Sequence, residues 1–220
     1  SLEWAAFFGT PSFTELLGRA VEIDATQLRE RGDEVDVDDA IAIVYTSGTR
    51  EHPVGATLTH HNVVNNGNLV GAVLGYTEVD RVCIPIPLFH CFGMVGGNIA
   101  AYTHGAAVVL PGPSFDPGEV LAAVERERCT SLAGVPAMFL AELFVPDLAS
   151  RDLSSLRLGL MGGAYCPPDL VRRARKGLNI PMLGLGYGMT ETSPVSTRPA
   201  RTTTSNGGSR RWGGRTRTSR

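Results

Sequence analysis

The sequence has no apolar run of the roughly 20 residues that a membrane-spanning helix needs. It also has no basic segment followed by a short apolar one at the N-terminus, the pattern of a signal peptide. We therefore expect no stable membrane insertion and a soluble, cytoplasmic protein. The phosphate-binding pattern Gly-Lys-Ser/Thr is missing as well, which excludes the P-loop kinases.

Cysteine pairs of the CxxC type are also absent. The four cysteines are scattered along the chain: Cys83, Cys91, Cys129 and Cys166. This spacing suggests neither a zinc site nor a disulfide framework. Free cysteine usually behaves as a small buried hydrophobe, so we expect reduced and mostly packed thiols.

Acidic residues are missing from the last part of the chain, where residues 192–220 contain seven arginines and no Asp or Glu. From residue 197 onward there is no periodicity and almost no aliphatic side chain, so we predict a basic, disordered tail at 197–220. The simplest explanation for the composition of this tail is a departure of the reading frame near residue 197. Nucleic-acid binding through the arginines is the less favoured alternative.

The pattern of the remaining chain predicts an α/β fold. With 220 residues, 43% of them hydrophobic, the chain is long enough for one sizeable core. Short, mostly β-branched runs predict strands near residues 41, 82, 106, 130, 156 and 181. Most of these runs are followed by a helical pattern, as in a sheet with helical crossovers.

Domain boundaries follow from composition. Residues 1–36 are predicted to be a helix and linker from a preceding subdomain, because Ser12 and Glu15 form a capping box before a helical apolar pattern. The acidic, unpatterned residues 32–39 are typical of a solvated linker. The main domain is then predicted at 37–196.

Two helix starts in the main domain carry strong local signals. Asp116, Pro117 and Glu119 open a helix that is predicted to reach about residue 128. Thr59 is expected to cap a helix through about residue 74. Its predicted buried face is apolar: Val63, Leu69, Val70 and Val73. Its polar residues are expected on the helix surface or in caps: His60, His61, Asn65, Asn66 and Asn68.

The chemistry is concentrated first in residues 45–62, which read YTSGTREHPVGATLTHHN. The preceding residues 41–44 are predicted to be a buried strand. It leads into Thr46, Ser47, Gly48 and Thr49, whose hydroxyls and backbone N–H groups suit an anion cradle. A plain turn of the same composition is the alternative.

Three further motifs each follow a predicted strand, where open α/β sheets bind ligands. They are Pro-Leu-Phe-His-Cys-Phe-Gly at 87–93, Gly-Gly-Ala at 162–164 and Gly-Tyr-Gly-Met-Thr-Glu at 186–191. For His90 alone, a satisfied structural histidine is an equally reasonable interpretation. The glycine turn alone would mean little, and its weight comes from the order of the motifs.

Together these motifs resemble those of the AMP-forming adenylating enzymes, the superfamily of acyl-CoA synthetases, luciferases and peptide-synthetase adenylation domains. The resemblance covers roughly residues 37–192. It implies that residues 37–196 are an incomplete part of the large N-terminal, AMP-binding domain of that fold, a sheet flanked by helices. It also implies ATP/AMP, Mg²⁺ and CoA as co-substrate, with a small carboxylate as the partner; Pro-Leu-Phe-His favours a fatty acid over an amino acid.

The resemblance also implies roles for individual residues. Tyr187 would stack on adenine, Thr190 would bond the α-phosphate, Glu191 would help to hold Mg²⁺, and His90 would lie beside the acyl group. The remaining expected nucleotide- and acyl-binding positions are the small or hydroxylated ones of the motifs: Thr46, Ser47, Gly48, Thr49, Gly55, Gly162, Gly163, Ala164, Gly186 and Gly188.

The chain departs from the family at the centre of the first motif. Glu51 stands where the family has glycine, and Val54 stands where it has lysine; Lys176 is the only lysine in the chain. Losing one charged hydrogen bond costs roughly 1.5 to 3 kcal/mol, so we expect weaker triphosphate binding. Arg50 is a candidate substitute for the cation. Our hypothesis is that the chain alone has little or no ligase activity, the alternative being a non-catalytic nucleotide-binding remnant.

Overall fold

The computed structural model of the chain describes residues 10–46 and 52–196. The described residues form two compact units that divide between Asp39 and Ala40. The predicted domain boundary at residue 36 stays a prediction. Residues 47–51, in the first motif, and the basic tail at 197–220 lie outside the described residues.

The first unit contains two α-helices, α1 (Pro11–Gly18) and α2 (Ala25–Asp33), joined by a 3₁₀ turn at Arg19–Glu22. The predicted start at Ser12 is wrong, because Pro11 already occupies the first helical turn, where its missing N–H costs nothing. Helix α2 was not predicted and absorbs part of the expected linker. Its signal was a capping box, since Asp24 accepts from the backbone of Gln27 (2.9 Å) and Gln27 accepts from that of Asp24 (3.0 Å).

The second unit contains a five-stranded parallel sheet and a separate antiparallel hairpin. The strands are β1 (Ala40–Thr46), β2 (Val54–Thr59), β3 (Arg81–Cys83), β4 (Ala107–Val109), β5 (Ser131–Gly134), β6 (Leu158–Gly162) and β7 (Met182–Gly186). The sheet has the strand order β4-β3-β5-β6-β7, and β1 pairs with β2 in the hairpin.

Helices connect these strands. They are α3 (His60–Leu74), a π-helix (Phe92–Ile99), α4 (Ala100–Tyr102), α5 (Pro117–Arg126), α6 (Pro136–Glu142) and α7 (Pro168–Gly177), with 3₁₀ turns at Leu148–Ser150 and Thr190–Thr192. The two helix starts predicted from capping residues are confirmed: Thr59 Oγ1 accepts from Asn62 N (3.2 Å), and Asp116 Oδ1 accepts from Glu119 N (2.9 Å). No helix in the described ranges is long and apolar enough to cross a membrane.

Two hydrophobic clusters pack against the sheet. One joins side chains of α5, α6 and α7 to the sheet, and the other joins α3 and α4 to it. Neighbouring residues of one strand, such as Leu132 and Ala133, enter different clusters, as expected for a strand buried on both faces. The predicted α/β class with a sheet flanked by helices is confirmed.

The prediction of a buried strand at 41–44 is wrong in its burial. The strand exists as β1, but Ile41, Ile43 and Tyr45 are 46%, 62% and 72% exposed. Only the opposite face packs inward, where Val44 contacts the cluster of Leu58, Val63 and Val95. Because both faces of β1 are apolar in sequence, the pattern did not reveal which face would be buried.

In helix α3, the prediction that Leu69 is buried is wrong. Leu69 is 59% exposed, whereas Val63 and Val70 are buried as predicted. The buried face uses glycine instead: a Cβ on Gly71 would lie 2.6 Å from Ala100 O and 2.4 Å from His104 Nδ1. Glycine therefore allows α3 to lie against the helical segment that ends at α4.

The cysteine prediction is confirmed for the packing of most thiols. All four cysteines are free; Cys83, Cys91 and Cys129 are buried, and Cys166 is half-buried.

The amino end of the sheet is held by Asp80, which is 1% exposed. Its carboxylate accepts from Thr130 Oγ1 (2.6 Å), from Arg157 Nε (2.8 Å) and from Arg157 Nη2. Asp80, Thr130 and Arg157 directly precede β3, β5 and β6, respectively. Burial alone would raise the pKa of Asp80, but the hydrogen bonds from Arg157, Thr130 and Thr77 outweigh it and hold the pKa below its usual value.

Replacing Asp80 is predicted to destabilise the fold. Asp80→Asn removes the charge partner of Arg157 and should lower the free energy of unfolding by about 1.5 to 3 kcal/mol at pH 7. The effect should persist above the pKa of an unfolded aspartate, about 3.9, and fade as the pH falls through the lower pKa of the folded form. Urea unfolding at pH 7, 5 and 3 measures it.

The matched control is Asp169→Asn, because the Asp169–Arg172 pair (3.2 Å) is 73% and 70% exposed. It should change stability by less than about 1 kcal/mol. Equal effects of the two variants at pH 7 would contradict the role given to Asp80.

Candidate functional site

A pocket of about 270 Å³ lies at the carboxyl end of β6 and β7. Its described lining residues come from the hairpin, from the segment after β3 and from the ends of the two strands: Thr46, His90, Cys91, Phe92, Leu160, Gly162, Gly163, Gly186, Tyr187, Gly188, Met189, Thr190, Glu191, Pro194 and Val195. The position agrees with the general rule that open α/β sheets bind ligands where their strands end.

Glycine shapes the floor of the pocket. Gly162 and Gly186 are paired in the sheet, and a Cβ on Gly162 would lie 2.8 Å from Gly186 O. The next residue, Gly163, has φ +81°, a conformation that other residues rarely adopt. The strand ends therefore present bare backbone to the pocket.

Beyond β7 the chain forms a narrow loop at 187–196. Gly188 and Val195 form an isolated antiparallel bridge, and Met189 N donates to Pro194 O (2.9 Å). A Cβ on Gly188 would lie 1.7 Å from Pro194 O, so only glycine fits there. At its tip the loop carries the 3₁₀ turn Thr190–Thr192.

The loop presents three chemically different groups to the pocket. Tyr187 is 58% exposed, Thr190 is 8% exposed, and Glu191 is exposed. An aromatic face, a hydroxyl and a carboxylate thus line one cavity.

The segment after β3 contacts the same loop. Cys91 Sγ lies 3.4 Å from Thr190 Oγ1 and 3.9 Å from His90 Nδ1. Phe92 N donates to His90 Nδ1 (3.1 Å), so this nitrogen is an acceptor and a neutral His90 carries its proton on Nε2. The remaining nitrogen of His90 is then a hydrogen-bond donor.

The structure brings together most of the residues that the motifs predicted. Nine of them line the pocket: Thr46, His90, Gly162, Gly163, Gly186, Tyr187, Gly188, Thr190 and Glu191. Ala164 and Gly55 are described but do not line it. Gly55 has a packing role in the hairpin, since a Cβ there would lie 2.8 Å from Ile43 Cγ2. Ser47, Gly48 and Thr49 lie outside the described residues.

Some lining residues were missed from the sequence. Cys91 and Phe92 lie inside the second motif, which offered a signal for them. Pro194 and Val195 reach the pocket only because the 187–196 loop folds back. Asn66, expected on the helix surface or in a cap, is half-buried, and its amide Nδ2 donates to the distant Val195 O (2.9 Å).

The described part of the pocket contains no arginine or lysine. Val54, at the family's lysine position, is 56% exposed in β2, and Arg50 lies outside the described residues. Within the described ranges, no group of three or more His, Cys, Asp or Glu residues is placed to hold a metal ion. Glu191 is the one carboxylate among the described lining residues.

Comparison with known proteins gives the family. The profile of the family described as AMP-binding enzyme matches residues 7–212. The chain belongs to this family. The resemblance drawn from the motifs is thereby confirmed.

Individual members of the AMP-binding enzymes are similar to this chain in sequence. The chain is 45% identical over 185 residues to the putative acyl-CoA synthetase YngI of Bacillus subtilis, covering 84% of this chain and 33% of that protein. It is 43% identical over 172 residues to the mitochondrial medium-chain acyl-CoA ligase ACSF2 of Danio rerio, covering 77% and 28%. The chain therefore spans about a third of the length of these relatives.

A solved structure supports the fold. The O-succinylbenzoate Coenzyme A synthetase MenE of Bacillus subtilis, in complex with ATP and magnesium ion, matches with a TM-score of 0.65 and 28% identity. The match covers 76% of this chain and 34% of MenE.

Gly188 provides a direct test of the loop geometry. Gly188→Ala forces a Cβ onto the backbone of Pro194, so the loop must open and the amide of Met189, which donates to Pro194 O, should exchange its hydrogen at least tenfold faster, or by about 1.4 kcal/mol. Hydrogen exchange measures the change. Gly112→Ala is the control, because its Cβ would meet only Ser114 O at an ordinary 3.6 Å. Unchanged exchange of the Met189 amide in Gly188→Ala would contradict the described loop.

Proposed function

We propose that this chain is the nucleotide-binding part of an AMP-forming acid–thiol ligase, with residues 37–196 as its AMP-binding domain. In the whole reaction a carboxylate attacks the α-phosphate of ATP and releases pyrophosphate, giving an acyl-adenylate. The thiolate sulfur of CoA then attacks the acyl carbon and releases AMP. The observation that carries the proposal is the convergence of His90, Tyr187, Thr190 and Glu191 on one pocket at the end of the sheet.

The residues present fit an adenine nucleotide. The open face of Tyr187 suits stacking on a purine. The bare backbone at Gly162 and Gly163 lets a flat ring or an acyl group approach closely. Thr190 Oγ1 contacts Cys91 Sγ (3.4 Å), so the Thr190 side chain is placed at the pocket before a phosphate arrives.

The residues also fit Mg²⁺, which proteins often bind through one or two carboxylates together with substrate phosphates. Glu191 would be the protein ligand in the described pocket. When bound there, the ion would neutralise charge on the phosphate oxygens. Because magnesium needs only one or two protein carboxylates, the single carboxylate of this pocket is sufficient.

His90 is proposed to lie beside the acyl group. With its Nδ1 occupied by Phe92 N–H, the neutral ring has only the Nε2 proton to offer. The ring can therefore donate to a carboxylate oxygen and help to orient it. In this role His90 positions the carboxylate through a hydrogen bond and does not transfer its proton.

A fatty acid is the proposed carboxylate. Phe92, Leu160 and Val195 give the pocket an apolar part beside the polar one. One relative is named a medium-chain acyl-CoA ligase, and the Pro-Leu-Phe-His motif favours the same class. That relative is also named mitochondrial, so a cytoplasmic location stays a prediction.

Ligase activity of this chain alone is proposed to be low. A triphosphate carries charges that need cations close by, and the described pocket offers neither lysine nor arginine. AMP carries less charge and depends more on Tyr187 and Thr190. Nucleotide binding should therefore favour AMP over ATP relative to an intact family member.

The stacking role of Tyr187 gives a quantitative prediction. Tyr187→Ala should weaken AMP binding by about 1 to 3 kcal/mol, the usual contribution of one base stacked on an aromatic ring. Tyr102→Ala is a matched control, because Tyr102 is 61% exposed and does not line the pocket. Isothermal titration of both variants with AMP measures the effect. Equal losses of AMP affinity in the two variants would contradict the stacking role of Tyr187.

The low activity is tested separately. Fatty-acid-dependent exchange between ATP and pyrophosphate by the purified chain should be at least a hundredfold slower than that of an intact relative, because about 3 kcal/mol of charge stabilisation is missing. A rate near that of the relative would show that the lost cation does not matter. AMP binding without measurable exchange is the expected result.

A further inference from the structure

Among the described residues, Asn66 is the one residue of helix α3 whose side chain hydrogen-bonds the 187–196 loop. Its Nδ2 donates to Val195 O (2.9 Å) and to Thr192 O (3.3 Å). Its Oδ1 accepts from Val195 N (3.2 Å). The side chain thus bonds three backbone groups that lie more than 120 residues away in sequence.

The orientation of this amide is determined by its partners. Two carbonyl oxygens need donors and one N–H group needs an acceptor, and an asparagine amide offers both on opposite atoms. Rotating the amide by 180° would set oxygen against oxygen and nitrogen against N–H. A carboxylate in the same place would keep one bond and face two carbonyls of like partial charge.

The internal hydrogen bonds of the loop hold its two arms to each other. Ser196 N donates to Tyr187 O (2.9 Å), and Met189 N donates to Pro194 O (2.9 Å). These bonds lie within the loop and do not connect it to the neighbouring helices. Asn66 connects the returning arm to a helix, and Cys91 contacts Thr190 at the tip.

Helix α3 is a firm support for this contact. Its start is capped by Thr59. Its glycines lie against neighbouring backbone and side chains, since a Cβ on Gly67 would approach Ile99 Cγ2 to 2.6 Å. A position fixed on this helix is therefore fixed relative to the segment that carries His90.

We propose that Asn66 is a positioning residue that holds the 187–196 loop and so sets the places of Tyr187 and Thr190 in the nucleotide pocket. This role rests on the proposed function of the pocket. It requires no contact between Asn66 and the nucleotide, because Asn66 acts through the backbone of Thr192 and Val195.

Hydrogen exchange of the full chain without nucleotide tests the contact itself. In Asn66→Ala, the amides of Met189, Val195 and Ser196 should exchange at least tenfold faster, while those of β5 and β6 keep their wild-type rates. At pH 7 these loop amides should exchange faster in Asn66→Asp than in Asn66→Ala, although aspartate has nearly the size and shape of asparagine. A merely space-filling role predicts the reverse order.

Asn65→Ala is the control, because its amide is exposed and donates only to His61 O on its own helix (2.9 Å). It should leave loop exchange within twofold of the wild type. Exchange within twofold in Asn66→Ala, an equal rise across the whole sheet, or wild-type behaviour of Asn66→Asp would each overturn the proposal.

Titration with AMP then tests the positioning role. Asn66→Ala should weaken AMP binding at least fivefold, whereas Asn65→Ala should not. Faster loop exchange with unchanged AMP affinity would overturn the positioning role. If the wild-type chain failed to bind AMP, the proposed function would fail and this role with it, while the exchange data would still report on the Asn66 contact.

Discussion

The parallel pairing of β6 with β7 is the constraint on which the rest of the site depends. It brings Gly162 and Gly186 to the same edge of the sheet, with so little space between the backbones that no side chain fits on Gly162. Two motifs that are far apart in sequence thereby share one pocket. The loop after β7 can fold back over this edge because Gly188 lets its two arms touch.

Stability and binding are placed at opposite ends of the same strands. At the amino ends, Asp80 gathers Thr130 and Arg157 and fixes how the starts of β3, β5 and β6 lie beside one another. At the carboxyl ends, the pocket is lined by the exposed side chains of His90, Tyr187 and Glu191 and by the buried Thr190. The pair of buried Asp80 and partly exposed Arg157 therefore aligns the strands at the end opposite to the pocket.

Membership of a family and activity of a particular chain rest on different residues. The glycines and the Tyr-Gly-Met-Thr-Glu segment that give the pocket its shape are present and lie together. The cation that a triphosphate requires is missing from the described pocket, and Val54 stands at the family's lysine position. Shape can persist when charge is lost, because backbone packing and phosphate binding depend on separate side chains. That separation is the physical basis for proposing nucleotide binding with weak catalysis.

Elements with local causes could be predicted from the sequence. The hydroxyl of Thr59 and the carboxylate of Asp116 cap helices within three residues, and the four motifs named the family from adjacent residues alone. Signals of this kind need no knowledge of distant parts of the chain. The capping box of Asp24 and Gln27 is an equally local cause, and it begins a helix that the predicted elements did not include.

Packing between distant elements sets which apolar face is covered and which polar group finds a distant partner. Ile43 and Leu69 are apolar yet exposed, because the hairpin and α3 bury their other faces. Asn66 looked like an ordinary surface residue of a helix, and its partners lie 126 and 129 residues further along the chain. Contacts of this kind depend on how whole elements pack, and no pattern of neighbouring residues encodes them.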